Sequence, residues 1–211
     1  MRRTRRAYYD KFSSVYDRFV ALHSRDKQGL ARKFLVDQIP AQNRGAVLDL
    51  CTGTGTLLTH IQPKVGARVQ VVGVDFSHGM LKVAREKTRS LTNVYLVEAD
   101  AGSLPFAAGT FDVVTCSHAF YELKGETQAR ALHEVVRILR PAGVFLMMEH
   151  DVPTNRLVRA LFYLRLAFIG SGRAITFLHR EREVLEQQFA RVEKVLAPAG
   201  RSKVMVCRKM P

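Results

Sequence analysis

A short glycine-containing segment offers the clearest chemistry in this sequence. Asp49 stands four residues before Gly53, Gly55 follows, and Asp75 stands 22 residues beyond Gly53. Glycines where a strand turns into a helix let a ligand approach the backbone closely, and the first helical turn offers free N–H groups. An acidic side chain at this distance can accept hydrogen bonds from ribose hydroxyls. The spacing therefore predicts a site for a ligand that contains a nucleoside.

The ligand class follows from two departures from the dinucleotide fingerprint. The pattern GxGxxG would place its third glycine at position 58, where this chain has Leu58. Asp49 is an additional carboxylate beside the loop, and a carboxylate suits an ammonium or sulfonium group better than a pyrophosphate. A glycine-rich turn without a ligand is common in α/β folds, but the loop together with Asp49 and Asp75 favours a cationic nucleoside ligand.

These residues need a sheet to bring them together, and the hydrophobic pattern predicts one. Apolar runs alternate with helical periodicity, as in βαβ units whose strands are buried on both faces. The predicted strands are 46–50, 69–74, 94–97, 111–115, 144–148, 192–196 and 204–207. The last two are too close for a helical crossover, so we expect a hairpin. The fold class is α/β, a Rossmann-like doubly wound, mostly parallel seven-stranded sheet with antiparallel C-terminal edge strands and an N-terminal helical cover.

The length of 211 residues predicts one domain. We expect four parts within it: a helical cover at 1–40, a ligand-binding core at 41–151, substrate-cover helices at 152–190 and C-terminal strands at 191–211. The three cysteines form no CxxC pair, which favours reduced thiols. Neither a secretory signal nor a spanning apolar run is recognisable, so a cytoplasmic protein is expected.

Five motifs spread over about residues 8–151 carry a family resemblance. In chain order they are Val47–Gly55, Gly73–Leu81, Ala99–Ala101 with Leu104–Phe106, Phe111–Val114 and Glu134–Gly143. Their order and spacing resemble those of the class I S-adenosylmethionine-dependent methyltransferases, most of all the UbiE-like, or type 11, group. That group includes the methyltransferases of quinone biosynthesis.

The resemblance implies S-adenosylmethionine as cofactor and S-adenosylhomocysteine as its product. Asp49 would hold the methionine amino group, Asp75 the ribose hydroxyls and Phe76 the adenine face. Asp100 and Ala101 would contact the adenine edge. The full set of expected cofactor-binding residues is Asp49, Cys51, Gly53, Gly55, Asp75, Phe76, Asp100, Ala101 and Ser117.

Side chains after the fourth and fifth strands are the candidates for chemistry on the methyl acceptor. Methyl transfer gains much of its rate from alignment, and a general base is needed only where the nucleophile must lose a proton. His118 is the first candidate base, with Tyr121 and His150 as the others; His118 could instead order the cofactor pocket. Residues 149–151 (Glu-His-Asp) cannot converge on one ion from a strand, so no metal site is predicted.

The formal net charge of +14 indicates where a partner could bind. The excess lies at the N-terminal tip and in the last third of the chain, whereas the central body is nearly balanced. Residues 155–169 predict a helix that is apolar on most sides and carries Arg156, Arg159 and Arg165. It suits a cover over a lipophilic substrate, or peripheral contact with an anionic membrane through Arg156–Arg173. A core helix with snorkelling arginines fits equally well.

We therefore expect a methyltransferase acting on a small, lipophilic acceptor, either a quinone-like ring or a lipid. Ser117–Leu123 and Met148–Asp151 differ from the corresponding segments of the quinone enzymes, which leaves the acceptor open. The alternatives are a cofactor-binding protein without transferase activity, an RNA methyltransferase and, more distantly, a NAD-dependent oxidoreductase. A nucleic acid partner is not expected, because the basic segments lack interleaved aromatic residues for base stacking. The oligomeric state stays open.

Overall fold

A single sheet with helices on both faces forms the framework of the computed structural model. The structure describes residues 2–23, 29–41, 45–123, 125–152, 155–157, 159–160, 172–198 and 202–211. The strands in these ranges are β1 (Ala46–Leu50), β2 (Gln70–Asp75), β3 (Val94–Glu98), β4 (Phe111–Ser117), β5 (Leu139–His150), β6 (Arg191–Leu196) and β7 (Ser202–Arg208). The helices are α1 (Arg2–His23), α2 (Leu30–Asp37), α3 (Leu58–Val65), α4 (His78–Thr88), α5 (Glu126–Ile138) and α6 (Gly172–Glu186), with a 3₁₀ turn at Phe120–Glu122.

The strand order is β3-β2-β1-β4-β5-β7-β6. The pairings among β1 to β5 are parallel, and β7 is antiparallel to both β5 and β6. The predicted fold class is confirmed, with one refinement: of the two C-terminal strands, β6 lies at an edge of the sheet and β7 lies inside it. Val204, Met205, Val206 and Cys207 are all buried, whereas burial in β6 is interrupted. A continuous apolar run needs neighbours on both sides, so β7 takes the interior position.

Two hydrophobic clusters hold the helices against the sheet. Leu48 and Leu50 of β1 belong to a cluster that includes Phe145 and the buried face of α5. Val47 belongs to the other cluster, with Ile61 of α3. Alternate residues of β1 therefore point to opposite faces, as the pleat requires. This burial on both faces fixes the position of β1 and of the loop that follows it.

The bounds of β1 to β4 match the predicted ones to within two residues, whereas β5 begins at Leu139, five residues before its predicted start at 144. The sequence pattern also predicts an interruption of the helices near 23–26, and positions 24–26 lie outside the described residues. Within the substrate-cover region, the sequence pattern predicts a helix over 180–189; the observed helix, α6, begins earlier, at Gly172, and ends at Glu186. Most of the helix predicted at 155–169, and of the membrane contact predicted for Arg156–Arg173, lies outside the described residues. Across the described ranges, no helix is both long and apolar enough to cross a membrane.

Candidate active site

The loop after β1 adopts a left-handed backbone at three positions. Cys51, Gly53 and Gly55 have φ angles of 56°, 55° and 72°. A side chain at Gly55 would place its Cβ 2.9 Å from the Cβ of Ala84, so this glycine lets the loop pack closely against α4. A Cβ at Gly53 would meet nothing within 4 Å. Gly53 therefore combines a backbone conformation that favours glycine with open space for a ligand.

Asp49 is buried at the base of this loop. Its two oxygens accept hydrogen bonds from the hydroxyls of Thr52, at 2.6 Å, and Thr115, at 2.8 Å. Burial raises the pKa of Asp49 to about 6, against the lowering effect of these two hydrogen bonds. A buried carboxylate without a cationic partner costs free energy, so Asp49 is suited to hold a cationic ligand group.

Asp75 is the second buried carboxylate, at the end of β2. Its Oδ2 accepts a 2.9 Å hydrogen bond from the N–H of Gly53, and its Oδ1 accepts one of 2.9 Å from the N–H of Ser77. Burial raises the pKa of Asp75 to about 6 as well. The side chain predicted to bind ribose thus also connects the glycine loop to the start of α4.

A cavity of about 1010 Å³ opens at the carboxyl ends of the central strands. It lies where the chain passes from one side of β1 to the other, the switch point at which open α/β sheets bind ligands. Eight of the nine predicted cofactor-binding residues line it: Asp49, Cys51, Gly53, Asp75, Phe76, Asp100, Ala101 and Ser117. Gly55, the ninth, packs against α4 instead. The cavity wall thus offers the buried carboxylates of Asp49 and Asp75 and the backbone of Gly53. This set of groups fits a nucleoside that carries an ammonium group.

The segment expected to contact adenine is fastened to α5. Glu134 accepts a 2.6 Å hydrogen bond from the N–H of Leu104, and Arg137 donates to the carbonyl oxygens of Leu104 and Phe106. Glu134 and Arg137 also form an ion pair, which holds the pKa of Glu134 below its usual range. The cavity wall at Ala101 therefore has a rigid support.

His118 is the predicted catalytic residue that lines the cavity. It follows β4 with a φ angle of 52°, and its Nδ1 is buried without a hydrogen-bond partner among the described residues. Burial, and then the nearby charges of His150 and Arg32, hold its pKa well below the usual value. The His118 ring lies 4.5 Å from that of His150, and the Tyr121 ring lies 6.2 Å from His150. Tyr121 and His150 do not line the cavity, and of the two it is the His150 ring that contacts His118.

Helix α1 covers one side of the cavity through Arg6, Tyr9 and Tyr16. Asp10 of this helix accepts hydrogen bonds from the hydroxyl of Ser77, at 2.6 Å, and from the N–H of Gly79, at 2.9 Å. It therefore caps the first turn of α4, which Ser77 also caps from within.

A second polar contact fastens α1 to the glycine loop. Asp17 accepts hydrogen bonds of 2.7 Å from the Thr54 hydroxyl and from Lys87 of α4. Lys87 also donates to the hydroxyl of Thr56, at 2.7 Å. The cover helix, the loop and α4 are therefore held together by one polar network.

Sequence reasoning did not identify several charged residues that line the cavity: Arg6, Arg32, Glu98, Glu126 and Arg130. Glu98 could have been found, because it ends β3 and is the register partner of Asp75. The others reach the cavity through helix packing, for which a local pattern carries no signal. Within the described part of the chain, no group of three or more His, Cys, Asp or Glu side chains could hold a metal ion.

Comparisons with known proteins agree with this geometry. Residues 47–143 match a family model described as a methyltransferase domain. A demethylmenaquinone methyltransferase of Staphylococcus epidermidis is 33% identical over 181 residues, which cover 85% of this chain and 74% of the relative. The Staphylococcus aureus protein of the same name is 32% identical over the same shares of both chains.

A solved structure of similar fold is a SAM-dependent methyltransferase from Aquifex aeolicus. The TM-score is 0.67 at 18% sequence identity, with 91% of this chain and 97% of that chain covered. The level of identity to the staphylococcal relatives and the match of the motif region establish the family and its cofactor. The chain belongs to the class I S-adenosylmethionine-dependent methyltransferases, in their UbiE-like group.

Proposed function

We propose that this methyltransferase acts on a small, lipophilic aromatic acceptor of the quinol class and that His118 accepts a proton from it. The observation that carries the proposal is the position of His118, whose half-buried imidazole lines the cavity and whose pKa is held well below its usual value. The relatives from Staphylococcus support a ring acceptor, because they are named for demethylmenaquinone.

The cofactor roles proposed for individual residues follow the cavity from β1 to β3. Asp49 binds the methionine amino group, and Asp75 accepts hydrogen bonds from the ribose hydroxyls. Phe76 packs against the adenine face, while Asp100 and Ala101 contact its edge. Gly53, Cys51 and Ser117 offer backbone groups, and Gly55 acts indirectly by letting the loop close on α4. The supporting observation is that all but Gly55 line the same cavity.

Aromatic side chains favour a planar acceptor. Tyr16 lines the cavity, and so does Tyr9, whose hydroxyl donates a 2.5 Å hydrogen bond to Glu122 beyond the end of β4. Flat aromatic walls with a few polar groups bind planar rings well. Burial raises the pKa of Tyr16, so this phenol stays neutral and does not add negative charge beside the acceptor.

The cofactor supplies an electrophilic methyl group on its sulfonium sulfur. A neutral imidazole keeps a lone pair on one ring nitrogen, and its low pKa keeps His118 unprotonated at neutral pH. His118 can therefore take the hydroxyl proton of a quinol as the ring carbon beside that hydroxyl bonds to the methyl carbon and the bond from that carbon to the sulfonium sulfur breaks. Loss of the proton on that ring carbon to solvent restores the aromatic ring, and the protonated His118 returns its proton to the ring oxygen, so that one proton is released in total. A positioned base of this kind contributes about 10²–10⁴-fold.

The test is methyl transfer to a short-tailed demethylmenaquinol by wild type and by His118→Gln. We expect kcat to fall by roughly 10²–10⁴-fold in the variant, with the Kd for S-adenosylhomocysteine changed by less than about threefold. His150→Gln and Tyr121→Phe serve as matched controls, because neither residue lines the cavity, and each should lose less than about tenfold.

Two results would overturn the proposal. Transfer of the methyl group to RNA or to aqueous metabolites, but not to the quinol, would move the acceptor to another class. Binding of S-adenosylmethionine without transfer to any fraction of a cell extract would indicate a binding protein without transferase activity. Asp75→Ala is the negative control in each assay, since it removes a carboxylate on which any activity of this site depends.

A further inference from the structure

We propose that Arg32 binds the carboxylate of the methionine part of the cofactor and, with Asp49, forms a site that recognises the zwitterionic amino acid. Arg32 is a cation of the cavity wall that the family motifs do not include. The inference concerns cofactor recognition, so it is independent of the acceptor and of the role of His118.

The packing of α2 turns Arg32 towards the cavity. Leu35 and Val36 are three and four residues further along the helix, and both are buried in the core. Residues at these spacings share one helix face, so Arg32 points inward with them. The side chain is half-buried, and Arg32 has no hydrogen bond or ion pair to any residue that the structure describes. A guanidinium in this state has donors available for a ligand.

The other two arginines of the cavity lie towards β3. Arg6 is paired with Glu98, the last residue of β3. Arg130 lies against Gly102, where an added Cβ would be 3.2 Å from the Cβ of Arg130. Both therefore belong to the end of the cavity assigned to adenine, and neither is placed for the methionine end.

Arg32 lies towards β1 and β4, because Leu35 and Val36 of the same helix pack in one cluster with Val47 of β1 and Val113 of β4. The positive charge of Arg32 lowers the pKa of Asp49, against the larger raising effect of burial. It also lowers the pKa of His118, in the same direction as burial. The guanidinium is thus close enough to act on a side chain of β1 and on one that follows β4. These two residues flank the place where the amino acid part of the cofactor must lie if Asp49 binds its ammonium group.

The chemistry of the ligand requires a cation at this place. An amino acid carries its ammonium and carboxylate on one carbon, so a carboxylate comes to the site together with the group that Asp49 holds. Moving a carboxylate out of water without a partner is costly, and a guanidinium can satisfy both of its oxygens in parallel. Arg32 supplies this partner. The ammonium and carboxylate of the ligand then meet the carboxylate of Asp49 and the guanidinium of Arg32, and the four charges sum to zero.

The experiment measures binding, by isothermal titration calorimetry, of three ligands that differ only at the methionine end. S-adenosylmethionine has the ammonium and the carboxylate, decarboxylated S-adenosylmethionine keeps the ammonium and loses the carboxylate, and both carry the sulfonium charge. 5′-Methylthioadenosine is a neutral thioether that has none of the three. We expect wild type to prefer S-adenosylmethionine over the decarboxylated form by roughly 10- to 100-fold, the usual effect of a charge-assisted hydrogen-bonded pair. Arg32→Met should bind the two with Kd values within about twofold of each other, while its Kd for 5′-methylthioadenosine stays at the wild-type value.

Arg6→Met and Asp49→Asn are the matched controls. Arg6→Met removes the same charge from the other end of the cavity and should keep the wild-type preference. Asp49→Asn should weaken both ammonium-bearing ligands and leave 5′-methylthioadenosine unchanged. The proposal is overturned if Arg32→Met keeps a tenfold preference for the carboxylate. It is also overturned if the variant loses affinity equally for all three ligands, because that result would assign Arg32 a structural role.

Discussion

The backbone N–H of Gly53 donates a 2.9 Å hydrogen bond to Oδ2 of Asp75, and this contact joins two cofactor motifs that are 22 residues apart. The Oδ1 atom of the same carboxylate accepts a hydrogen bond from the N–H of Ser77. The carboxylate is thus held in place by two backbone groups, one from the loop after β1 and one from the start of α4. Each oxygen retains a further lone pair for a ligand hydroxyl.

Asp75→Asn should therefore weaken cofactor binding more than the loss of one charge explains. The amide of asparagine presents an NH₂ group to one of the two backbone donors, which leaves that donor unsatisfied. We expect the Kd for S-adenosylhomocysteine to rise at least about tenfold, measured by calorimetry. Glu98→Gln neutralises the neighbouring carboxylate of the same cavity and is the control. Equal losses in the two variants would contradict a specific role for Asp75.

Cofactor affinity should decrease as the pH falls from 7 to 5. The pKa of Asp49 is raised to about 6, so the free protein takes up a proton there, whereas a bound ammonium group requires the ionised form. The pKa of Asp75 is also raised to about 6, and its proposed partner, the ribose, is present in every adenosine ligand. The Kd of 5′-methylthioadenosine, which has no ammonium, should therefore depend less steeply on pH than that of S-adenosylhomocysteine.

Asp49→Asn isolates the contribution of Asp49 to this pH dependence. In the variant, both ligands should follow the same shallower profile, measured by calorimetry between pH 5 and 7.5. An unchanged difference between the two ligands in Asp49→Asn would assign the titration to another group. The stability of the free protein should depend on pH in the opposite direction to cofactor affinity. Because the pKa values of Asp49 and Asp75 are raised, the folded chain binds more protons than the unfolded chain between about pH 4 and 6. The free energy of unfolding therefore falls as the pH rises through that range.

Gly79→Ala should loosen α1 while it strengthens α4 as an isolated helix. Alanine is the better helix former by about 1 kcal/mol, but its Cβ would lie 2.7 Å from the Cα and carbonyl oxygen of Asp10. Because backbone atoms cannot rotate away, α1 must move. We expect faster hydrogen exchange in residues 6–17 and a higher Kd for S-adenosylhomocysteine. Arg85→Ala, on the exposed side of α4, is the control, and unchanged exchange in Gly79→Ala would show that α1 does not depend on this contact.

Glu149→Gln should stabilise the protein increasingly as the pH rises. Glu149 is fully buried, one oxygen accepts a 3.2 Å hydrogen bond from the N–H of Tyr121, and Oε2 has no partner in the described ranges. Burial raises its pKa well above the usual 4.5, so the folded protein holds a proton that the unfolded chain releases. The wild type therefore loses stability as the pH rises above about 4.5, and the neutral glutamine does not.

Urea denaturation at pH 5 and pH 8 measures this difference. The two proteins should be similar at pH 5, and Glu149→Gln should have the higher unfolding midpoint at pH 8. Glu181→Gln is the contrasting variant, because Glu181 pairs with the buried Lys203. Its loss leaves an unpaired ammonium and should destabilise the protein by about 3–5 kcal/mol. A lower midpoint for Glu149→Gln at pH 8 would contradict the inference that Glu149 is protonated.

The site was predictable from sequence where its residues follow directly from strand ends. Asp49 belongs to β1, Asp75 ends β2 and Asp100 follows β3, so their positions depend on the strand order alone. The indirect role of Gly55 was not predictable, because it depends on the approach of Ala84 from α4. Nor does the strand pattern predict that His118 lines the cavity whereas Tyr121 and His150 do not.

The sequence by itself determined the α/β class, the seven strands and the cofactor motifs, because alternating apolar runs and glycine turns are local properties of the chain. Only the tertiary structure decided which helix residues reach the cavity. Arg32 and Tyr9 belong to α2 and α1, and their directions are set by the packing of these helices on the sheet and on α4. Such contacts join segments distant in the chain and depend on the combined burial of many side chains, which no short pattern encodes.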